Sequence, residues 1–251
     1  MLQTILIGLF AGFLITQAAN FATSVYLHRT LSHRAMSMNR GLEMSFRAVI
    51  WLSTGLRPRE WVAVHRKHHA FTDEAEDPHS PARLGWLRVQ LTNPGLYRRV
   101  ARDESTVHRF ARDLAPTRVD RWLFDRAFLG LGIGIALLIL ALGWQAGLVA
   151  AVAHMALYLG LSGAVNSIAH TFGRRPFATS ATNVRWLALL TAGEGLHNNH
   201  HAAPTSARFS LGRFEWDPSW LPIRVFRRLG LVKIRHATPK FVVGKRVMRT
   251  A

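Results

Sequence analysis

The chain has no cysteine. That excludes disulfides, thiolate zinc sites and an internal iron–sulfur centre, so any electrons the protein uses come from another protein. Acidic residues are scarce, with 14 Asp and Glu against 32 Lys and Arg and a formal net charge of +18. Charge of either sign is absent from the first 28 residues and from residues 127–173. No positive residue precedes the first apolar run and no small-residue cleavage site follows it, so no cleavable signal is expected.

So large a positive charge would first suggest nucleic acid. Its layout argues for a membrane instead. All Lys and Arg fall within residues 29–126 and 174–249, and basic blocks alternating with charge-free apolar ones follow the positive-inside rule. A soluble protein would need a polar face on its core helices. A nucleic-acid partner is therefore not expected.

The length of 251 residues fits one domain, organised in four blocks. Residues 1–27 can cross a hydrocarbon core of about 30 Å as a helix rising about 1.5 Å per residue. Residues 28–126 carry 18 Lys/Arg and 11 Asp/Glu and form a water-facing or interfacial layer. Within them, residues 41–56 are interrupted by Glu43 and Arg47 and read as an interfacial, half-buried helix. Residues 127–173 are long enough for two spans of about 20 residues each, turning near Gly143 to Gly147, the second running from about 148 to 170. Residues 174–251 return to the basic side, broken into short helices and loops by Pro204, Pro218, Pro222 and Pro239. The expected fold is all-α: an integral membrane helical protein with about three spans and a cytoplasmic helical cap. A re-entrant first segment is the alternative. No long repeat or low-complexity tract is visible.

His65, His68 and His69 are spaced i, i+3, i+4, on one face of a helix. His197, His200 and His201 repeat that spacing. His28 and His33 are five apart, so on a continuous α-helix their side chains diverge by about 140°. They converge only where the helix ends or distorts, and the departure from the apolar block over residues 29–32 favours an end. His170 closes the last span at the same membrane face. Asn166 lies one turn earlier, where a buried amide could hold a metal-bound water. Each piece alone is weak; nine imidazoles mapping to one face point to a metal centre, since imidazole suits zinc, copper, iron and nickel. His154 lies at the wrong end of its span and reads as structural. His108 and His236 fall in exposed-looking stretches, and His79 reads as a residue orienting a loop beside the site.

Nine imidazoles exceed the four or five ligands of one metal, so two metals would take four or five each. Soluble di-iron enzymes rely mostly on carboxylates. A nearly neutral donor set leaves two metals with little charge compensation and suits redox work with oxygen, on a hydrocarbon that partitions into lipid. Neither triad contains a glutamate placed as a zincin-like base, which argues against hydrolysis. The ligands gather at one face rather than along a midplane path, which argues against transport.

On His28-Arg-Thr-Leu-Ser-His33, Glu60-Trp-Val-Ala-Val-His65-Arg-Lys-His68-His69, Glu76-Asp-Pro-His79, Asn166-Ser-Ile-Ala-His170 and Gly193-Glu-Gly-Leu-His197-Asn-Asn-His200-His201, the chain resembles the membrane fatty acyl desaturases. It is most similar to the acyl-CoA group that includes stearoyl-CoA desaturase and its bacterial relatives. Residues 206–235, with Trp216-Asp217 and Leu229-Gly-Leu, also look like the bacterial tail, so the resemblance covers about residues 20–236. It implies a single membrane fatty acid desaturase domain over residues 1–251 holding two Fe ions. Such an enzyme uses O2 and two external electrons to remove two hydrogens from a fatty acyl chain, leaving a cis double bond. The family's nine ligand histidines fall on the nine named above, and Asn166 on the residue that holds a metal-linked water. The implied substrate is a fatty acyl chain on CoA, acyl carrier protein or lipid. The implied donor is a ferredoxin or a cytochrome b5-type protein with its reductase. A hydroxylase or acetylenase on the same scaffold is the alternative, and a non-redox membrane metal protein a more distant one. The family usually has four spans, with a helical hairpin before the first box; 27 residues ahead of His28 leave room for one span.

Further candidates lie near the boxes. Arg34, Arg57, Arg59, Arg66, Lys67, Arg83 and Arg88 could meet a carrier's phosphates, or simply anionic lipid. Glu74, Glu76 and Asp77 could accept from ligand N–H groups, and Glu194, inside the motif, has the better claim. Trp61 and Trp186 are the tryptophans nearest the boxes.

Overall fold

The computed structural model describes residues 1–236; Pro239 and the rest of the basic C-terminus lie outside them. Helix α1 (Leu2–Ala22) runs without a break into a π-helix over Thr23–Ser32. The chain continues through β1 (Met36–Met38), α2 (Arg40–Ser53), α3 (Pro58–Ala70), α4 (Pro81–Leu84), α5 (Trp86–Ala101) and α6 (Glu104–Phe110). After a short π-helical turn at Asp120–Phe124 come α7 (Ala127–Leu142), α8 (Trp144–Asn166), α9 (Ile168–Thr171), α10 (Arg185–Leu190), α11 (His197–Ala202), α12 (Trp220–Arg228) and β2 (Val232–Ile234). The fold is mostly helical. It departs from the all-α expectation by one antiparallel ribbon that pairs Ser37 with Lys233. Met36-Ser-Met and Val232-Lys-Ile both alternate apolar and polar, the strand period, and the ribbon ties the C-terminal segment to the exit of the first helix.

Two helical rods are long and apolar enough to cross a membrane, Leu2–Ser32 with 31 residues and Trp144–Thr171 with 28. The third apolar helix, α7, has 16 residues, roughly 24 Å, and is shorter than the span expected of it. The turn between α7 and α8 falls at Gly143, with φ of 79°. Side chains such as Leu6, Phe10, Leu14, Val152 and Met155 face outward and exposed, as a lipid-facing surface requires. Gly8 and Gly12, four apart, let α1 lie directly on α8: a Cβ on Gly12 would sit 2.7 Å from the Ala150 carbonyl oxygen and 2.8 Å from the Ala153 Cβ. This is the small-xxx-small contact of membrane helices.

Helix α2 is the half-buried helix expected over residues 41–56. Its Arg47 is buried in an ion pair with Asp120, and its Trp51 Nε1 donates to the Arg126 carbonyl at 3.1 Å. Pro222 does not break the chain; it sits in the first turn of α12, where its missing N–H would have no intrahelical partner anyway. His154 lies between Thr16 Oγ1 (3.0 Å from its Nδ1) and the Ser53 carbonyl (2.8 Å from its Nε2). It bridges α1, α8 and the end of α2, away from the other histidines. His154 sits near the middle of its rod, whereas the C-terminal ends of the two long rods converge with α3 and α11.

Candidate metal centre

His28 and His33 meet because the helix widens rather than ends. One i→i+5 turn returns residues five apart to nearly the same face, and the two rings stand 4.9 Å apart between centroids. The local sequence supports the wide turn. Thr30 Oγ1 donates to the Val25 carbonyl at 2.7 Å and Ser32 Oγ to the Leu27 carbonyl at 2.9 Å, both five residues back. The helix end favoured by the composition comes at Ser32, after the turn has done this.

The two triads do not act as blocks. On α3, His65 and His69 turn one way and His68 the other; on α11, His197 and His201 turn one way and His200 the other. The i+3 and i+4 positions lie about 60° to one side and about 40° to the other side of position i, so a helix lying between two sites splits its triad. The result is one group of His28, His33, His65, His69 and His200 and another of His68, His170, His197 and His201. Within each group the ligand nitrogens lie within 4.8 Å of one another. Nε2 atoms stand 3.0 Å apart for His28 and His200, 2.8 Å for His33 and His65, 2.9 Å for His69 and His200, and 3.2 Å for His197 and His201. His200 Nε2 faces two other nitrogens but offers either one proton or one lone pair, so ordinary hydrogen bonding does not account for the packing. Nitrogens about 2.1 Å from a shared ion would have edges of about 3 Å, and the donor set fits two metals. Burial, and then the neighbouring imidazoles, push His65, His69, His197, His200 and His201 well below their ordinary pKa, which keeps their lone pairs free.

Charge compensation is closer than an imidazole-only reading suggests. Glu194 Oε2 lies 2.6 Å from His28 Nδ1 and its Oε1 accepts from Ser24 Oγ at 2.5 Å. Asp77 Oδ1 lies 3.0 Å from His68 Nδ1. Burial works to raise both carboxyls, but His28 and Arg29 beside Glu194, and His68 beside Asp77, outweigh it and hold both ionised. Asp73, which the sequence did not single out, lies 3.6 Å from His170 Nδ1, an electrostatic contact too long for a direct hydrogen bond. Its backbone is left-handed, with φ of 63°, and its N–H donates to Asp77. Glu74 and Glu76 are exposed in the same turn. His79 is buried with its ring stacked 4.7 Å from His68; burial and then His68 lower its pKa to about 3.

A buried ion pair braces the centre. Arg29, fully buried, grips Asp217 with both terminal nitrogens at 3.0 and 2.9 Å. Its guanidinium lies 3.8 Å over the Phe209 ring, which packs 4.8 Å from His200 and 5.5 Å from His28. Asp217→Ala leaves Arg29 charged and unpaired in the interior. Loss of one partner of a buried pair costs about 3–5 kcal/mol, so the thermal unfolding midpoint in detergent should fall sharply; an unchanged midpoint would remove the pair from this role.

A cavity of about 680 Å³ opens beside the centre. His28, His65, His197 and Asn166 border it, Leu131, Leu161 and Val165 supply apolar wall, and Arg98 and Arg102 stand on its rim. Of the seven basic candidates, Arg57 alone lines it, and it is paired with Glu60 at 2.9 Å. Arg34 and Arg66 are committed to Asp113. Trp61 stacks on His65 at 4.9 Å, whereas Trp186 is exposed on α10. The rim arginines were invisible because nothing in the sequence says which side of α5 meets the cavity.

Imidazoles in two ligand groups, beside an apolar cavity and at the end of rods long and apolar enough to cross a membrane, fit the class of histidine-rich membrane metal proteins. Comparison places the chain within that class: the Fatty acid desaturase model matches residues 3–218, and the chain belongs to that family. It is 35% identical over 220 residues to an sn-2 palmitoyl-lipid 9-desaturase of Nostoc sp. (strain 36), covering 84% of this chain and 75% of the relative. It is 34% identical over 217 residues to an acyl-CoA C20 Delta5-desaturase of Anemone leveillei (84% and 68%). To a Delta-9 desaturase-like 2 protein of Arabidopsis thaliana it is 33% identical over 229 residues (88% and 74%). The relatives thus include acyl-lipid as well as acyl-CoA desaturases, a wider circle than the acyl-CoA group the motifs suggested. The protein is a desaturase oxidoreductase, and its histidine clusters are consistent with a di-iron centre that introduces double bonds.

Proposed function

We propose that this chain is an O2-dependent di-iron desaturase that introduces a cis double bond into a fatty acyl chain. The observation that carries the reading is the division of nine histidines, six buried and three half-buried, into a five-ligand and a four-ligand group beside an apolar cavity. His28, His33, His65, His69 and His200 would hold one iron; His68, His170, His197 and His201, with a water held by Asn166, would hold the other. Glu194, Asp77 and Asp73 would orient His28, His68 and His170 and offset metal charge. When bound, the two irons supply the oxygen-activating chemistry. O2, two electrons and two protons are consumed, two hydrogens leave neighbouring carbons, and two waters form.

The chain's own residues do the rest. The apolar wall takes the saturated chain out of water and fixes which carbons pass His28, His65 and His197. Arg98 and Arg102 suit the phosphates that both CoA and phospholipid carriers bear. The electrons come from an external donor such as a ferredoxin or a cytochrome b5-type protein. About three spans would put both basic blocks and the metal centre on the cytoplasmic face, as the positive-inside rule requires.

Expression in a desaturase-deficient host should yield new monounsaturated acyl chains by mass spectrometry of total lipid. Hydroxylated or triple-bonded products would reassign the reaction. Purified enzyme supplied with either acyl-CoA or phospholipid identifies the carrier. Metal analysis after growth in iron should find about two irons per chain; one retained zinc would sink the oxidase reading.

A further inference from the structure

We infer that Asn93, on α5, is a positioning residue that sets which end of the Asn166 amide faces the four-histidine group. The inference rests on the di-iron reading above. Helix α8 ends at Asn166 and α9 starts at Ile168, so the chain bends between Asn166 and His170. Two side chains of α5, three residues apart and therefore on one face, hold that bend. Gln90 Oε1 accepts from Ser167 Oγ at 2.7 Å, and its Nε2 donates to the Gly160 carbonyl at 2.9 Å. Asn93 Oδ1 accepts from Asn166 Nδ2 at 3.0 Å, and Asn93 is buried.

A primary amide has one acceptor end and one donor end. With its donor end engaged by Asn93, Asn166 keeps Oδ1 available as an acceptor at the cavity it lines together with His79 and His197. A water bound to a cation gives lone-pair density to the metal and becomes a stronger proton donor, so its favoured partner accepts. The Asn93 acceptor therefore selects the useful orientation; without it the amide is free to present N–H groups to the water's protons.

Asn93→Leu keeps the bulk and removes the acceptor; Asn93→Asp keeps the shape and can only accept. The test is chelator challenge of the iron-loaded, detergent-solubilised enzyme, with iron per chain and the Mössbauer spectrum as readouts. Outer partners of metal ligands are worth about 10–100-fold in metal affinity. Asn93→Leu should therefore release one of its two irons at a chelator concentration about 10-fold lower, with one of two spectral components changed. Asn93→Asp should match the parent. If the leucine variant does not fold, Asn93→Ala is read in the same way. Iron loss in Asn93→Leu that parallels the parent with an unchanged spectrum overturns the inference, as does an Asn93→Asp that behaves like the leucine variant. A parent that never binds two irons overturns the di-iron reading itself, and the inference with it.

Discussion

His200→Ala should bring desaturation below about 1% of the parent rate and strip iron from the protein. Removing even an outer hydrogen-bond partner of a metal ligand costs about 10–100-fold, and His200 is placed as a ligand at the seam of the site. Its Nε2 stands 3.0 Å from His28 Nε2 and 2.9 Å from His69 Nε2, so it joins the widened turn of the first rod to α3. Phe209 packs against its ring as well as against that of His28. The informative control is His154→Ala. That histidine is also buried and also joins distant elements, through Thr16 and Ser53, but it lies outside both ligand groups. Its loss should lower the unfolding temperature while the protein keeps its iron and its turnover. Iron bound at parental level in His200→Ala, or iron lost equally from His154→Ala, would separate the histidine groups from metal binding.

Much of this site was legible in the sequence, because ligand spacing and charge layout are local properties. The spacing of the triads, the position of His170 at the end of an apolar run and the exclusion of His154 each follow from helical geometry and the order of charged blocks. The structure gathers those nine residues in one place. What was not legible depends on how helices are placed around one another. A triad shares a face only across an arc of about 100°, so the sequence could not say that His68 and His200 would cross to the other group. The i→i+5 turn was within reach of the sequence: Thr30 and Ser32, each five residues from the carbonyl it binds, were the available sign. Asp217 pairs with Arg29 across 188 residues, and its motif was seen only as a family tail. Asp73 was passed over beside Glu74 and Glu76 because its role needs a left-handed backbone that composition does not announce. Asn93 in Thr92-Asn93-Pro94 looks like a turn signal, yet it lies inside α5.

Mild acid should unfold the metal-free protein well before it affects the iron-loaded one. His65, His69, His197, His200 and His201 are held well below the ordinary imidazole pKa of 6.5, by burial first and by one another second, and His79 is lowered to about 3. Above pH 6.5 these groups are neutral folded or unfolded, so their contribution to stability is fully present. Below it the unfolded chain binds protons that the folded chain refuses, and stability falls as pH drops toward the lowered folded values. Each imidazole that stays neutral contributes a slope of about 1.4 kcal/mol per pH unit. Three acting together give about 4 kcal/mol per unit, against a typical net stability of about 5–15 kcal/mol. The lowered carboxyls of Asp77 and Glu194 act in the same direction at still lower pH. The metal-free unfolding midpoint in detergent should therefore collapse between about pH 6.5 and 4. Bound iron stabilises only the folded state and must leave before a ligand nitrogen takes a proton, so the loaded protein's curve should be displaced to lower pH. A metal-free midpoint that stays level from pH 7 to pH 5 would mean that the imidazoles take up protons in the folded state. The groups would then be open to water, and the site would lack the dry, neutral donors on which two-metal binding depends.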